Sequence, residues 1–85
     1  MVSEVRERIK EMYTNIVKDV TATVVAVLPS LNFATFWSKE RGTIQANNDT
    51  QFDGVSLGEL RGGDQVIVDC TPADQVYIAT RLELA

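Results

Sequence analysis

The chain contains no histidine, one cysteine and two prolines among 85 residues, and only 7% of it is aromatic. Without histidine, a zinc cluster has no plausible ligand set and the usual general base of nucleophilic catalysis is missing. With Cys70 alone there is no internal disulfide, and its place in an apolar alternation predicts a buried structural thiol rather than a nucleophile. No apolar run approaches the roughly 18 to 20 residues that span a bilayer, and the charged, periodic N-terminus is unlike a signal peptide, so a cytoplasmic protein is expected. The carboxylates Asp64, Asp69 and Asp74 sit in or beside turns with no phosphate-cradling motif, which predicts a protein that is not an enzyme and needs no cofactor or metal.

Positive charge is also scarce where it would matter. The net charge is −4. Up to Val20 the acids and bases cancel, and from Thr21 onward only Lys39, Arg41, Arg61 and Arg81 face eight acids. An acidic surface is a poor start for holding a phosphate backbone.

What is present is periodicity. Val2, Val5, Ile9, Met12, Tyr13, Ile16 and Val20 recur at three- and four-residue intervals, predicting an amphipathic helix over residues 1–20. Alone it is marginal, so its stripe must be buried against the rest of the chain, a partner or a second copy. Val5, Ile9, Met12 and Ile16 are the candidate association residues.

The period then becomes two. β-Branched residues and turn signals predict strands over residues 21–28, 33–38, 43–47, 64–70 and 76–82, with one short helical turn within 55–60. Pro29 closes the first strand, residues 39–42 form a charged hairpin turn, and Thr71-Pro72-Ala73-Asp74 has type I turn chemistry. The predicted fold is mainly β: one domain, residues 1–85, with a five-stranded antiparallel OB-type barrel preceded by an N-terminal amphipathic α-helix. Strict alternation predicts a core of Val24, Leu28, Phe33, Val66, Val68 and Ile78, and puts Trp37 inside with Phe33.

Two blocks carry a resemblance. Val27-Leu28-Pro29-Ser30-Leu31-Asn32-Phe33 is similar to the first hairpin of the translation initiation factor one family. Leu60-Arg61-Gly62-Gly63-Asp64-Gln65-Val66-Ile67-Val68, followed by Thr71-Pro72-Ala73-Asp74, resembles that family's Gly-Asp-x-Val-x-Val strand and Thr-Pro-x-Asp turn. The Gly-Asp-x-Val element is shared with other S1-like and cold-shock-like barrels. The resemblance implies binding to the small ribosomal subunit through basic residues between strands three and four. Here that stretch, residues 49–59, holds no lysine or arginine and three acids, so those contacts do not carry over.

Two functions follow as expectations. In one, the barrel binds ribosomal or single-stranded RNA weakly, with Phe36, Lys39, Arg41, Arg61, Tyr77 and Arg81 as its stacking and phosphate-touching residues. In the other, an acidic barrel without RNA binding serves interaction or assembly, its helix docking a protein partner or forming a homodimer.

Overall fold

A computed structural model describes residues 16–85. Six strands follow one another: β1 (Val17–Leu28), β2 (Phe33–Ser38), β3 (Gly42–Ala46), β4 (Gln51–Asp53), β5 (Gln65–Pro72) and β6 (Tyr77–Leu84). Two 3-10 turns, Pro29–Leu31 and Leu57–Glu59, complete the order. The strands make one sheet in the order β3-β2-β1-β5-β6-β4, and a parallel pairing of β3 with β6 closes it into a barrel. The five expected strands are all present, the helical turn within residues 55–60 is Leu57–Glu59, and β4 is a short parallel addition to β6.

The expected N-terminal helix is corrected. Among the described residues there is no α-helix, and Val17–Val20, assigned by spacing to its last turn, are the start of β1. Val17 and Val20 pair with Cys70 and Val68 on β5, and Asp19, at φ 56 in the intervening bulge, donates its amide to Asp69 Oδ1 at 2.9 Å. The ladder to β5 rewards extension of this β-branched stretch more than a helical spacing rewards coiling. The remainder of the expected helix lies outside the described residues.

The interior is narrow and filled by alternating large and small side chains. Phe36 lies in register between Val24 on β1 and Ile44 on β3, with Ala34 opposite Ala46 one step along. Val20, Ala22, Val66, Val68, Cys70, Ala79 and Leu82 continue the core round the barrel. Val55 and Leu60, flanking the second 3-10 turn, are buried beside it.

Two bulges change which residues face inward. On β1 the register shifts between Val24 and Ala26, leaving Val25 without a partner on β2. Before it Val20, Ala22 and Val24 are buried; beyond it Val27 packs on the core, and Leu28, expected inside, is 46% exposed. The β5–β6 ladder shifts likewise at Thr80, whose hydroxyl donates to the Asp69 carbonyl at 3.1 Å. Leu82 and Ala79 are buried, Tyr77 packs against the core, and Ile78 is only half-buried. An inserted residue reverses the two-residue period for the rest of a strand, which is why strict alternation misassigned Leu28 and Ile78.

Candidate functional site: an uncharged hairpin face around Trp37

The β2–β3 hairpin fixes the orientation of the candidate residues. Ser38 pairs with Gly42, and the buried Ser38 hydroxyl accepts the amides of Glu40 at 3.2 Å and Arg41 at 3.1 Å. Gly42 takes φ 79, the left-handed conformation that a three-residue hairpin loop needs at its end. This register sets Trp37 opposite Thr43, and Phe36 opposite Ile44. The inward side of β2 is therefore Ala34, Phe36 and Ser38. Phe36 is fully buried, so its expected outward stacking role is corrected, while Trp37, expected in the core, is 56% exposed. Phe33 is half-buried. The signal was in β3: Ile44 and Ala46 are its apolar positions, and a hairpin closed at Ser38–Gly42 places Phe36 and Ala34 beside them.

The remaining predicted residues do not converge. Lys39 and Arg41 are exposed in the hairpin loop, and Lys39 lines a cleft of about 360 Å³ with Asp19, Thr21, Thr23, Trp37 and Glu40 among its walls. Neither Arg61, Tyr77 nor Arg81 lines that cleft. Arg61 is exposed in the turn before β5, with its amide held by Asp64 Oδ2 at 3.0 Å. Arg81 is engaged within the protein: its Nε donates to Asp53 Oδ2, and its Nη2 lies 3.6 Å from Glu83 Oε2. The hydrogen bond and charge of Asp53, with Glu83 and Asp69 adding to it, hold the guanidinium above its ordinary pKa, so this cation is neutralised locally. Of the expected association residues, Val5, Ile9 and Met12 lie outside the described residues, and Ile16 is half-buried just before β1.

The outer face of β1 and β2 was not singled out by the sequence reading. Of the five exposed large hydrophobic residues among those described, four lie on this hairpin: Val25, Leu28, Leu31 and Trp37. Residues 20–38 contain no charged side chain, in a chain that is 24% charged. The register arranges the outward residues in rows: Thr23 beside Trp37, Ala26 beside Thr35, and Leu28 beside Phe33, with the bulged Val25 between the first two and Leu31 at the tip. Thr43 and Gln45 on β3 and Gln65 on β5 extend the rows sideways without adding charge. A second hollow of about 270 Å³, lined by Asn32, Asn47, Asn48, Thr50, Phe52 and Leu57, has no charged lining residue.

Cys70 is fully buried. Burial pushes its thiol above the ordinary value, with Arg41 pulling down and Asp69 pushing up more weakly. A protonated, enclosed thiol is a poor nucleophile. Ellman's reagent at pH 8 is therefore expected to react slowly with the folded chain and at once on addition of denaturant. Rapid stoichiometric reaction of the native protein would place Cys70 at the surface.

No protein-family description matches the sequence, and no curated protein does. Solved structures share the barrel. CusF carrying silver(I) superposes with a TM-score of 0.58 at 11% identity, covering 82% of this chain and 97% of that one. A second silver(I) structure, of CusF from Escherichia coli, gives 0.58 at 12% identity over 80% of this chain and 90% of that one. Apo-CusF from Escherichia coli gives 0.55 at 12% identity, over 80% and 86%. At such identities the likeness is one of fold: the chain is a small barrel of the OB-like class.

These findings correct the RNA reading. The solved barrels named above are of CusF, which is also known in a copper(II) form of a tryptophan variant, and nothing found supports initiation factor one in particular, a ribosomal site or an RNA partner. The side chains agree: the proposed stacking ring Phe36 is enclosed and Arg81 is paired with acids. At these identities the bound silver(I) and copper(II) are properties of CusF and are not carried over to this chain. Copper(I) and silver(I) favour thioether, thiolate and imidazole donors. This chain has no histidine, its two methionines at positions 1 and 12 precede the barrel, and Cys70 is sealed inside. Among the described residues no three histidine, cysteine, aspartate or glutamate side chains gather to hold a metal.

Proposed function

We propose that this domain is a non-catalytic docking module that binds another protein surface through the outer face of the β1–β2 hairpin. The observation that carries the reading is the clustering of four exposed large hydrophobics, Trp37 among them, on nineteen consecutive residues without charge. Isolated exposed apolar residues are ordinary on a protein surface, whereas a run of outward apolar residues with an aromatic at one end and no charge between has the composition of an interface core. Tryptophan is the residue most enriched among interface hot spots, because a large rigid ring buries area at little entropic cost. The closed barrel beneath supplies a rigid support, with Phe36, Val24 and Ile44 packed directly behind the face.

The charged residues border this face. Lys39, Glu40 and Arg41 form the loop at one end, Asp19 at the start of β1 lines the cleft beside Trp37 at that same end, and the remaining acids lie on other strands and loops. A polar rim around a dry centre is the usual anatomy of a specific contact.

The test uses the full chain in cells that make it, with benzoylphenylalanine replacing Leu31 or, as a control on β4, Gln51. Covalent adducts of defined mass are expected from position 31, absent from position 51, and lost when Trp37→Glu is added. Absence of any adduct at position 31, with the protein itself or any other, would end this reading.

A further inference from the structure

We infer that the occupant of the hairpin face is a second copy of this chain, related by a two-fold axis passing near Thr35; this rests on the docking reading above. The argument begins with charge. A foreign partner is steered and selected largely by charges complementary to those around the contact. Residues 20–38 offer none of either sign, while the chain as a whole carries −4. Two such chains repel through most of their surface, and residues 20–38 are where they meet with no like charges opposed, Asp19, Lys39 and Glu40 lying at the edge beside Trp37. Recognition then rests on shape.

The shape is complementary to itself. Trp37 and Phe33 lie two residues either side of Thr35 on β2, so their rows are each about 7 Å from it along the strand. A two-fold rotation about an axis at the Thr35–Ala26 row exchanges the Trp37–Thr23 row with the Phe33–Leu28 row. Each Trp37 ring then lies over Leu28 and Phe33 of the other copy, and the small residues Thr35 and Ala26 meet at the axis, where the two sheets come closest. An isologous contact requires such self-matching, in which residue i meets j and j meets i. Sheets packed face to face stand about 10 Å apart, the space filled by a layer of side chains of this size.

The available face is four strands wide, from Gln65 on β5 to Thr43 on β3. At about 4.8 Å between strands and about 14 Å between the outer rows, the face is roughly 300 Å² in plan, well under the about 800 Å² per side of a standard specific interface, so the dimer is expected to be weak and transient, with a dissociation constant of about 10 to 100 μM.

Sedimentation of the full chain from about 10 μM to about 1 mM should therefore show a monomer passing to a dimer, with half-association inside that range. Leu28→Glu and Trp37→Glu alter exposed positions, and each should keep the circular dichroism spectrum and melting temperature of the monomer while raising the dissociation constant at least tenfold. Thr35→Cys should cross-link to its own copy with a short bismaleimide, and Gln51→Cys should not. Three results would overturn the inference: a monomer throughout the range, a dimer indifferent to both glutamate variants, or a Thr35→Cys protein that does not cross-link. A monomer that still gives adducts of another protein at position 31, lost with Trp37→Glu, would refute the second copy and leave the docking face standing. A dimer held elsewhere, with no adduct at position 31, would refute both.

Discussion

Phe36→Ala should lower the stability of the barrel by about 3 to 5 kcal/mol, and Trp37→Ala, one residue further along the same strand, by less than about 1 kcal/mol. The contrast follows from which side of β2 each ring occupies. Phe36 has no exposed surface and is held between Val24 and Ile44, with Ala34 and Ser38 as its inward neighbours on β2. Those neighbours are too small to swing into the space a benzyl group leaves, and a barrel closed on every side relaxes little, so the cavity persists. Trp37 is 56% exposed and its removal opens no interior volume. A domain of this size holds only about 5 to 10 kcal/mol in total, so the Phe36 variant should retain about 70% of its stability at best and almost none at worst, with a correspondingly early urea midpoint. Urea titration followed by far-ultraviolet dichroism at a concentration where the chain is monomeric separates the two variants. Equal losses, or a larger loss at Trp37, would mean that the faces of β2 are reversed and that the docking face has been placed on the wrong side of the barrel.

That inversion is also where the sequence was least legible. The β-branched runs, the Pro29 stop, the glycine-bearing hairpin loop and the helical turn before β5 were sufficient to predict five strands in the right order. Which side of each strand faces inward depends on events that composition does not announce. Val25 and Thr80 are ordinary β residues, yet each is an inserted position that reverses the parity beyond it, moving Leu28 out and Tyr77 in. Phe33, Phe36 and Trp37 are three aromatics on one short strand, and alternation offers both sides without choosing between them. The pairing with β3 makes the choice, because only Phe36 shares a face with Ile44. Helical spacing over residues 1–20 and β propensity from Val17 onward competed for the same residues, and partners on β5, 48 to 53 positions away, decided for the strand. The candidate site was illegible for a related reason. A search for cations and stacking rings passes over residues 20–38, whose distinguishing property is an absence of charge that acquires meaning only once the barrel shows which of those residues face outward.

Thr50→Val should cost about 2 to 3 kcal/mol although it changes one atom group for another of the same size. Thr50 is buried, and its hydroxyl works in both directions: it donates to the Ala79 carbonyl at 2.7 Å and accepts the Asn47 amide at 3.0 Å. The Thr50 amide also returns a bond to the Asn47 carbonyl at 3.1 Å, so the bend after β3 is closed on itself and pinned to β6 by one side chain. Valine fits the volume and deletes the oxygen, which leaves a donor and an acceptor of the backbone without that partner. The loss at Ala79 weighs more, since that residue is almost wholly enclosed, whereas Asn47 is half-buried and water reaches it more readily. Thr50→Ser keeps the oxygen and gives up only a methyl group, so it should recover most of the stability. Hydrogen exchange distinguishes a lost bond from a general loosening: the Asn47 amide should exchange faster in the valine variant, while the amides of Val24 and Gly63, bonded across the far side of the barrel at 2.8 Å each, keep their protection. If valine proves as stable as threonine and the Asn47 amide stays protected, the hydroxyl is not what holds the bend to β6, and the loop is fixed there by the packing of Val55 and Leu60 against the core instead.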